Sequence, residues 1–270
     1  LWPLSPIELG GMSSKHPFIK LMQWAENYAY KNVDEVISML PKALEHMIHH
    51  GLEPNKFNYI PNGTSLDEWE SSRNALPEEH NLLLNNLRSN NQFIVGYAGA
   101  HGISNALNRL VEVGELIKND RIAIVLVGNG PEKNRLKDLA IKNNYSKIYF
   151  LPAVSRQSMS TLLEAMDAFY IGLQKQPLFR FGVSPNKLLD YMMAAKPIIH
   201  AIEAGNDMVA ESGCGISIPP EDPKAIAVAI RRLMAMSPEE RQAMGQKGRE
   251  YVIAHHDYRV LARKFIESIQ

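Results

Sequence analysis

The sequence has 270 residues, 45% hydrophobic and 21% charged, which suffices for one or two globular domains. Basic and acidic residues number 29 each, so the formal charge is zero and nothing suggests the clustered basic surface typical of nucleic-acid-binding proteins. The single cysteine, Cys214, excludes an internal disulfide, and no apolar run approaches the ~18 residues of a membrane-spanning helix. We therefore expect a cytoplasmic protein, because free thiols persist in reducing compartments.

The first sixty residues combine helical patterns with short apolar segments. Apolar residues recur at helical spacing from Phe18 to Ala29, and we expect them to pack in a core rather than on lipid. A second helix is predicted over Lys42–His50, closed by Gly51, and a brief strand over Asn58–Ile60. The sequence begins at Leu1 and not at a methionine, which indicates a fragment of a longer protein.

Three histidines on the second predicted helix have the spacing of metal ligands. His46, His49 and His50 lie on one helix side, but no nearby cysteine completes a site. We interpret them as a solvated helix face and predict no metal site.

A polar stretch over residues 64–91 predicts a linker with one short helix around Glu78–Arg88. From residue 92, apolar strands alternate with helical patterns, which is typical of a parallel sheet covered on both faces. The predicted strands are Phe93–Ala98, Ile122–Val127, Ile148–Leu151, Ala168–Leu173, Ile198–Ala201 and Gly215–Ile218. We predict an α/β fold with a Rossmann-like, doubly wound parallel sheet.

Two glycine-containing loops follow the first two strands of this predicted sheet. They carry Gly99, His101 and Gly102 in the first loop, and Gly128 and Gly130 in the second. Glycine lets a backbone approach a ligand, and ligands bind beyond the carboxyl ends of such strands. Neither loop is G-x-G-x-x-G, so the dinucleotide fingerprint of a dehydrogenase is missing from both.

The segment over residues 181–199 predicts a loop, a helix and a buried strand. Ser184 is a predicted N-cap, and Pro185 suits the first helical turn. Backbone N–H groups at such a start attract anions, and Lys187 would add a positive charge there. The alternative is a capped helix that carries only a surface pair of Lys187 and Asp190.

The motif "SPNKLLDYMMAAKPII" resembles the donor-binding segment of retaining glycosyltransferases of family 4. Further similar segments are "YIPNGTSLDEW", "VLVGNGPEKNRLKDLA", "IYFLPAVSRQSMSTLLEAMDAFYIGL" and "AESGCGISIPPEDPKAIAVAI", and all lie in the family's order. The bacterial members that build surface polysaccharides are the most similar.

The resemblance implies the C-terminal, donor-binding half of a two-domain GT-B fold with a remnant of the other domain. Residues 1–63 would be the tail of the N-terminal, acceptor-side domain, and 64–91 the linker. Residues 92–256 would form the donor-binding domain, and 257–270 a helix that crosses back. Catalytic residues and the acceptor site would belong to the missing half, so we expect this fragment to bind donor without turnover.

Carried over by position, the resemblance implies a donor site with roles for particular residues. Val154 would contact the base through its backbone, and Asp190 would bind the ribose hydroxyls. Lys187 would offset the charge of the diphosphate. The other implied donor-binding residues are Gly99, His101, Gly102, Gly130, Arg180, Ser184, Asn186 and Leu188.

This chain departs from the family pattern at three points. The usual first acidic residue falls on Gly182, and the second is the shorter Asp190. The usual arginine and lysine of the first glycine loop fall on Ala100 and Asn105. These departures leave the donor sugar open.

The implied reaction is metal-independent, retaining transfer of a sugar from a nucleoside diphosphate sugar, with UDP favoured. The acceptor would be a glycan or a lipid-linked sugar at the inner face of the membrane, and no cofactor is expected. The alternatives are a binding module without activity and a sugar-nucleotide epimerase of the same fold, although the epimerase would need a catalytic carboxylate and histidine cluster.

Overall fold

The computed structural model describes residues 1–71 and 73–270. Within that range the strands are β1 (Val36–Ser38), β2 (Phe57–Tyr59), β3 (Phe93–Ala98), β4 (Ile122–Val127), β5 (Ile148–Leu151), β6 (Ala168–Gly172), β7 (Ile198–Ala201) and β8 (Gly215–Ser217). The helices are α1 (Leu4–Glu8), α2 (Pro17–Asn32), α3 (Leu44–His49), α4 (Leu66–Ser71), α5 (Glu78–Ser89), α6 (Leu107–Leu116), α7 (Lys133–Lys142), α8 (Met159–Glu164), α9 (Asn186–Met193), α10 (Met208–Ser212), α11 (Pro223–Ala235), α12 (Pro238–His255) and α13 (Tyr258–Ser268).

The larger sheet has six parallel strands in the order β5-β4-β3-β6-β7-β8. The predicted fold class is therefore confirmed. Strands β3, β4, β5 and β7 have the predicted bounds, because continuous apolar runs are typical of strands covered on both faces. Strand β3 is the first strand of this sheet in the sequence but lies at its centre. The later strands are added on both sides of it.

Two apolar clusters cover the two faces of this sheet. The β-strand side chains alternate between them: Ile94 lies in the cluster with α9 and α12, and Val95 in the cluster with α6 and α11. Helix α9 contributes five buried residues to its interface with the sheet and α12. This packing fixes the start of α9 relative to the carboxyl ends of β3 and β6.

The segment over residues 64–91 contains two helices, α4 and α5, where one short helix was predicted. Helix α4 was missed because it is short and polar apart from Leu66 and Trp69. Trp69 is only 6% exposed and belongs to the same apolar cluster as α9. The segment therefore packs on the larger sheet's domain along part of its length.

Residues before 61 form a smaller layer around the parallel pair β1 and β2. The prediction that the apolar residues of α2 pack in a core is wrong within this chain. Phe18, Leu21, Trp24 and Tyr28 are 52–65% exposed, and only Ile19 of α2 is fully buried. The two-stranded sheet is too small to cover the whole apolar face of a sixteen-residue helix.

The interpretation of the α3 histidines as a solvated face holds for His49 and is wrong for His46. The His46 side chain is 11% exposed, and its ring packs against Phe181 and His50. Burial lowers the pKa of His46, although Glu26 at 3.6 Å opposes the shift. The spacing could not reveal this, because Phe181 belongs to a distant loop.

Candidate ligand site at the strand ends

The candidate site lies where the strand order of the sheet reverses. Strand β3 pairs with β4 on one side and with β6 on the other, so the loops after β3 and β6 leave the sheet in opposite directions. Open α/β sheets bind ligands in the crevice at this point. The glycine loop after β3 and the start of α9 meet there.

The two glycine loops pack directly against each other. The N–H of His101 donates to the carbonyl of Asn129 at 2.8 Å, and the N–H of Gly99 donates to Val127 at 3.0 Å. A Cβ added to Gly128 would lie 1.9 Å from the Gly99 carbonyl oxygen, and one on Gly130 would lie 2.5 Å from that of His101. Both positions therefore require glycine, because any side chain would separate the loops.

His101, a predicted donor-binding residue, is fully buried beneath these loops. Its ring contacts Tyr97 and Phe150, and neither ring nitrogen has a hydrogen-bond partner among the described residues. Burial, and then the charges of Lys133 and Lys187, lower the pKa of His101 to about 4. The histidine is neutral at physiological pH and supports the loop from below.

Helix α9 starts one residue later than Ser184 had suggested. Its N-cap is Pro185, which supplies no side-chain hydrogen bond, so the predicted cap by Ser184 is wrong. The Ser184 hydroxyl instead accepts from the N–H of Asn62 at 3.2 Å, and the Ser184 carbonyl accepts from the Asn62 amide at 2.7 Å. The first N–H groups of a helix have no intrahelical partner. Because no side chain caps the start of α9, none competes with a ligand for these groups.

Lys187, in the first turn of α9, reaches across to the loop after β3. Its ammonium donates to the Tyr97 hydroxyl at 2.9 Å and to the Asn105 side-chain oxygen at 2.5 Å. Neither partner is charged, and burial lowers the pKa of Lys187 to about 8. The structure thus holds a partly buried ammonium without a carboxylate beside Gly99.

Asp190, one turn further along α9, pairs with an arginine that the sequence did not single out. Its Oδ2 accepts from Nη1 of Arg156 at 2.7 Å, and the Asp190 side chain is 16% exposed. Burial raises the pKa of Asp190, and Arg156 opposes that shift. The alternative of a simple surface pair between Lys187 and Asp190 is not observed, because each has another partner.

A pocket of about 210 Å³ opens beside this ion pair. It is lined by Gly63, Thr64, Ser65, Glu68, Arg156, Asn186, Leu189, Asp190 and Tyr258. Val154 lies three residues beyond the end of β5, is half-buried and packs against the apolar cluster that contains Leu188, which is 1% exposed. Only the backbone of Leu188 is therefore available to a ligand, while the exposed Asn186 can offer its side chain.

Arg180 lies apart from this pocket, in the turn that follows β6. Its guanidinium donates two hydrogen bonds of 2.7 Å to the carboxylate of Glu8 in α1. It lines a separate cavity of about 750 Å³ together with Lys42, Lys175 and Glu203. Arg180 and Asp190 therefore line different pockets, and Lys187 lines neither of the two.

Sequence reasoning missed four contact residues of the site. Tyr97 and Asn105 hold Lys187, Arg156 holds Asp190, and Asn62 holds Ser184. Arg156 lies in the loop after β5, and this position at a strand end was the only feature of the sequence that could have indicated a role in the site. Ser155 precedes a 3₁₀ turn over Arg156–Ser158 and supplies no side-chain cap.

Within residues 1–71 and 73–270, no group of three or more histidine, cysteine, aspartate or glutamate residues could hold a metal ion. No helix in that part of the chain is both long and apolar enough to cross a membrane.

The six-stranded sheet, with glycine loops and a helix start at its switch point, defines a Rossmann-like α/β domain. Comparison with protein families then identifies the chain. Residues 83–251 match the model of the glycosyl transferases group 1, and the chain belongs to this family.

Two relatives are themselves named as glycosyltransferases. The chain is 23% identical over 268 residues to a protein of Escherichia coli K12 named as colanic acid biosynthesis glycosyl transferase WcaI, covering 96% of this chain and 63% of that protein. It is 27% identical over 169 residues to a Pseudomonas aeruginosa protein named as glycosyltransferase WbjE, covering 60% of this chain and 41% of that one. The chain thus spans less than two thirds of either relative.

Solved structures share the fold at lower sequence identity. Anabaena HepE in complex with UDP-glucose has a TM-score of 0.71 at 17% identity, over 93% of this chain and 67% of HepE. Sucrose-phosphate synthase from Thermosynechococcus elongatus has a TM-score of 0.71 at 21% identity, over 92% of this chain and 60% of that chain. These similarities establish the GT-B type of fold.

Proposed function

We propose that this chain is the donor-binding part of a retaining glycosyltransferase of family 4 that uses a nucleoside diphosphate sugar, with UDP as the nucleotide. The observation that carries the proposal is the start of α9 at the strand-order switch point. Uncapped backbone N–H groups and the Lys187 ammonium lie together there beside a glycine loop. This combination suits a diphosphate.

In the proposed reaction, these same groups stabilise the departing diphosphate. Negative charge develops on that group as its bond to the sugar breaks, and Lys187 and the N–H groups of α9 offset the charge. Asp190 accepts hydrogen bonds from the ribose hydroxyls, and the backbone at Val154 contacts the base. The transfer retains the anomeric configuration and needs no metal, as the resemblance of the α9 motif implies.

The acceptor in this proposal is a growing glycan or a lipid-linked sugar at the cytoplasmic face of a membrane. The name of WcaI, which includes colanic acid biosynthesis, supports a role in polysaccharide biosynthesis. We further propose the domain division of residues 1–63, 64–91, 92–256 and 257–270. The acceptor site and catalytic groups then belong to a preceding half, and this chain alone binds donor without turnover.

A binding module without activity remains a second candidate because of one observation. Position 182 is a glycine with φ of +113°, and its Cβ would lie 2.5 Å from Pro41. No acidic side chain fits there to bind a donor sugar. Nucleotide binding by a full-length protein that shows no transfer would favour this candidate.

A thermal-shift series on the chain with UDP, GDP and ADP tests the proposal. UDP should raise the melting temperature in a concentration-dependent way, because a ligand of the folded state stabilises it. Lys187→Ala should weaken UDP binding about tenfold, since it removes a charge-assisted contact to the diphosphate. The matched control is Lys142→Ala, which removes an exposed lysine from α7. Equal shifts for both variants would remove Lys187 from the site.

A further inference from the structure

Arg156 bridges two acidic side chains from different elements at the edge of the 210 Å³ pocket. Its Nη1 donates to Oδ2 of Asp190 in α9 at 2.7 Å, and its Nε lies 3.7 Å from Oε1 of Glu68 in α4. All three side chains line the pocket. The arginine therefore neutralises what would otherwise be two neighbouring carboxylates facing one small space.

Arg156 favours the charged form of Asp190. Burial raises the pKa of Asp190, Glu68 raises it further, and Arg156 is the cation that opposes both effects. The ion pair engages Oδ2, and no side-chain hydrogen bond of the described residues uses Oδ1. One carboxylate oxygen is thus fixed in place while the other is free to accept.

We propose that Arg156 is a positioning residue for the ribose of the bound nucleotide, an inference that rests on the proposed function. It holds the Asp190 carboxylate ionised and in one orientation, so that the carboxylate accepts hydrogen bonds from the 2′- and 3′-hydroxyl groups. Asp190 has one methylene less than glutamate, so it cannot adjust to the ribose as freely. The contact with Arg156 instead holds the shorter Asp190 side chain in one orientation toward the ribose.

The alternative is that the pair is an ordinary surface ion pair. Arg156 is 48% exposed, and pairs exposed to that extent contribute little to stability. The two explanations differ in one respect. A surface pair has no effect on ribose selectivity, whereas a positioning residue controls the preference for a ribonucleotide over its 2′-deoxy analogue.

The experiment measures dissociation constants of UDP and 2′-deoxy-UDP by calorimetry at pH 7.5. The wild-type chain should prefer UDP about tenfold, the value of one hydrogen bond to a charged group. Arg156→Gln should reduce that ratio to about twofold or less, and Arg156→Lys should restore part of it by returning the charge.

The matched control is Arg249→Gln. Arg249 also pairs with a glutamate of α4, with Nη2 3.5 Å from Oε1 of Glu70, but it does not line the pocket. This variant should keep the wild-type ratio. Melting curves of both variants establish that each is folded before binding is compared.

A pH series gives a second readout that a merely structural role would not change. Both ligands carry the same phosphates, so their own titration cancels from the ratio. In wild type the ratio should change less between pH 7.5 and 5 than in Arg156→Gln, because Arg156 opposes the rise in the pKa of Asp190. In Arg156→Gln it should fall as the pH falls, because Asp190 without its cation is protonated more readily.

The outcomes separate the inference from the proposed function. No binding of UDP by wild type would overturn the proposed function and this inference with it. UDP binding together with an unchanged ratio in Arg156→Gln, at both ends of the pH range, would overturn only the role of Arg156. A wild-type ratio near one would also overturn it, because Asp190 would then not contact the 2′-hydroxyl.

Discussion

Lys187 is an ammonium held by two neutral oxygens rather than by a carboxylate. The Tyr97 hydroxyl and the Asn105 amide satisfy its hydrogen bonds without cancelling its charge. Burial then lowers its pKa to about 8, so the free protein holds the charge only incompletely near that pH. An anion at the start of α9 would favour the protonated form of Lys187. The protein should therefore take up a proton when the anion binds.

Calorimetry of UDP binding at pH 8.5, in buffers of different ionisation enthalpy, should therefore show net proton uptake. The affinity should decline between pH 7.5 and 9.5, since a pKa lowered to about 8 leaves less ammonium as the pH rises. His101 does not titrate in this range, because its pKa is about 4. Tyr97 also stays neutral, since burial raises its pKa. Lys187→Ala should abolish the uptake, and equal uptake in that variant would assign the proton to another group.

The sequence predicted the candidate roles of Lys187 and Asp190, because both belong to the motif that resembles the family's donor-binding segment. It did not predict their partners. Asn105 is 82 residues from Lys187, and Arg156 is 34 residues from Asp190. Such contacts are decided by which strand ends become neighbours in the sheet, and a local pattern carries no record of that order.

At the scale of elements, the strands were predictable and the polar helix α4 was not. Continuous apolar runs of four to six residues between turn signals predict buried strands wherever they occur. Helix α4 has six residues and buries only Trp69, so its pattern resembles a linker. The two glycine loops were recognised as strand-end loops, but their mutual contact depends on β3 and β4 pairing in register.

Gly128→Ala should destabilise the domain by about 3 kcal/mol or more, because the new methyl group would overlap backbone atoms of Gly99 at a φ of +147°. Gly102→Ala is the matched change in the neighbouring loop. Its φ is −99°, and its Cβ would lie 3.5 Å from the nearest atom, an amide nitrogen of Asn105, so stability should change by less than about 1 kcal/mol. Urea unfolding measures both, and similar losses would contradict the described loop packing.

The whole molecule exposes an apolar surface that its own residues do not cover. Helix α2 presents Phe18, Leu21, Trp24 and Tyr28 to solvent, beside the two-stranded sheet of β1 and β2. The chain spans 63% of WcaI. Our proposal of a preceding acceptor-side half is consistent with this surface, since small parallel sheets are normally part of larger covered ones.

Trp24→Ala should therefore cost this chain less than about 0.5 kcal/mol, because the side chain is 65% exposed and loses little packing. Trp69→Ala is the matched change of a buried tryptophan in α4 and should cost about 3–5 kcal/mol. Chemical denaturation of both variants gives the comparison. A large loss for Trp24→Ala would mean that the face is already packed in solution, by self-association for example.

The central position of β3 has a consequence for synthesis on the ribosome. Its Val95 pairs with Ala168, and its Tyr97 accepts a hydrogen bond from Lys187, which is 90 residues later in the sequence. A nascent chain that has reached only β5 has both glycine loops but lacks the cation. The proposed anion site therefore cannot be complete before α9 has been synthesised, although both glycine loops precede α9 in the chain.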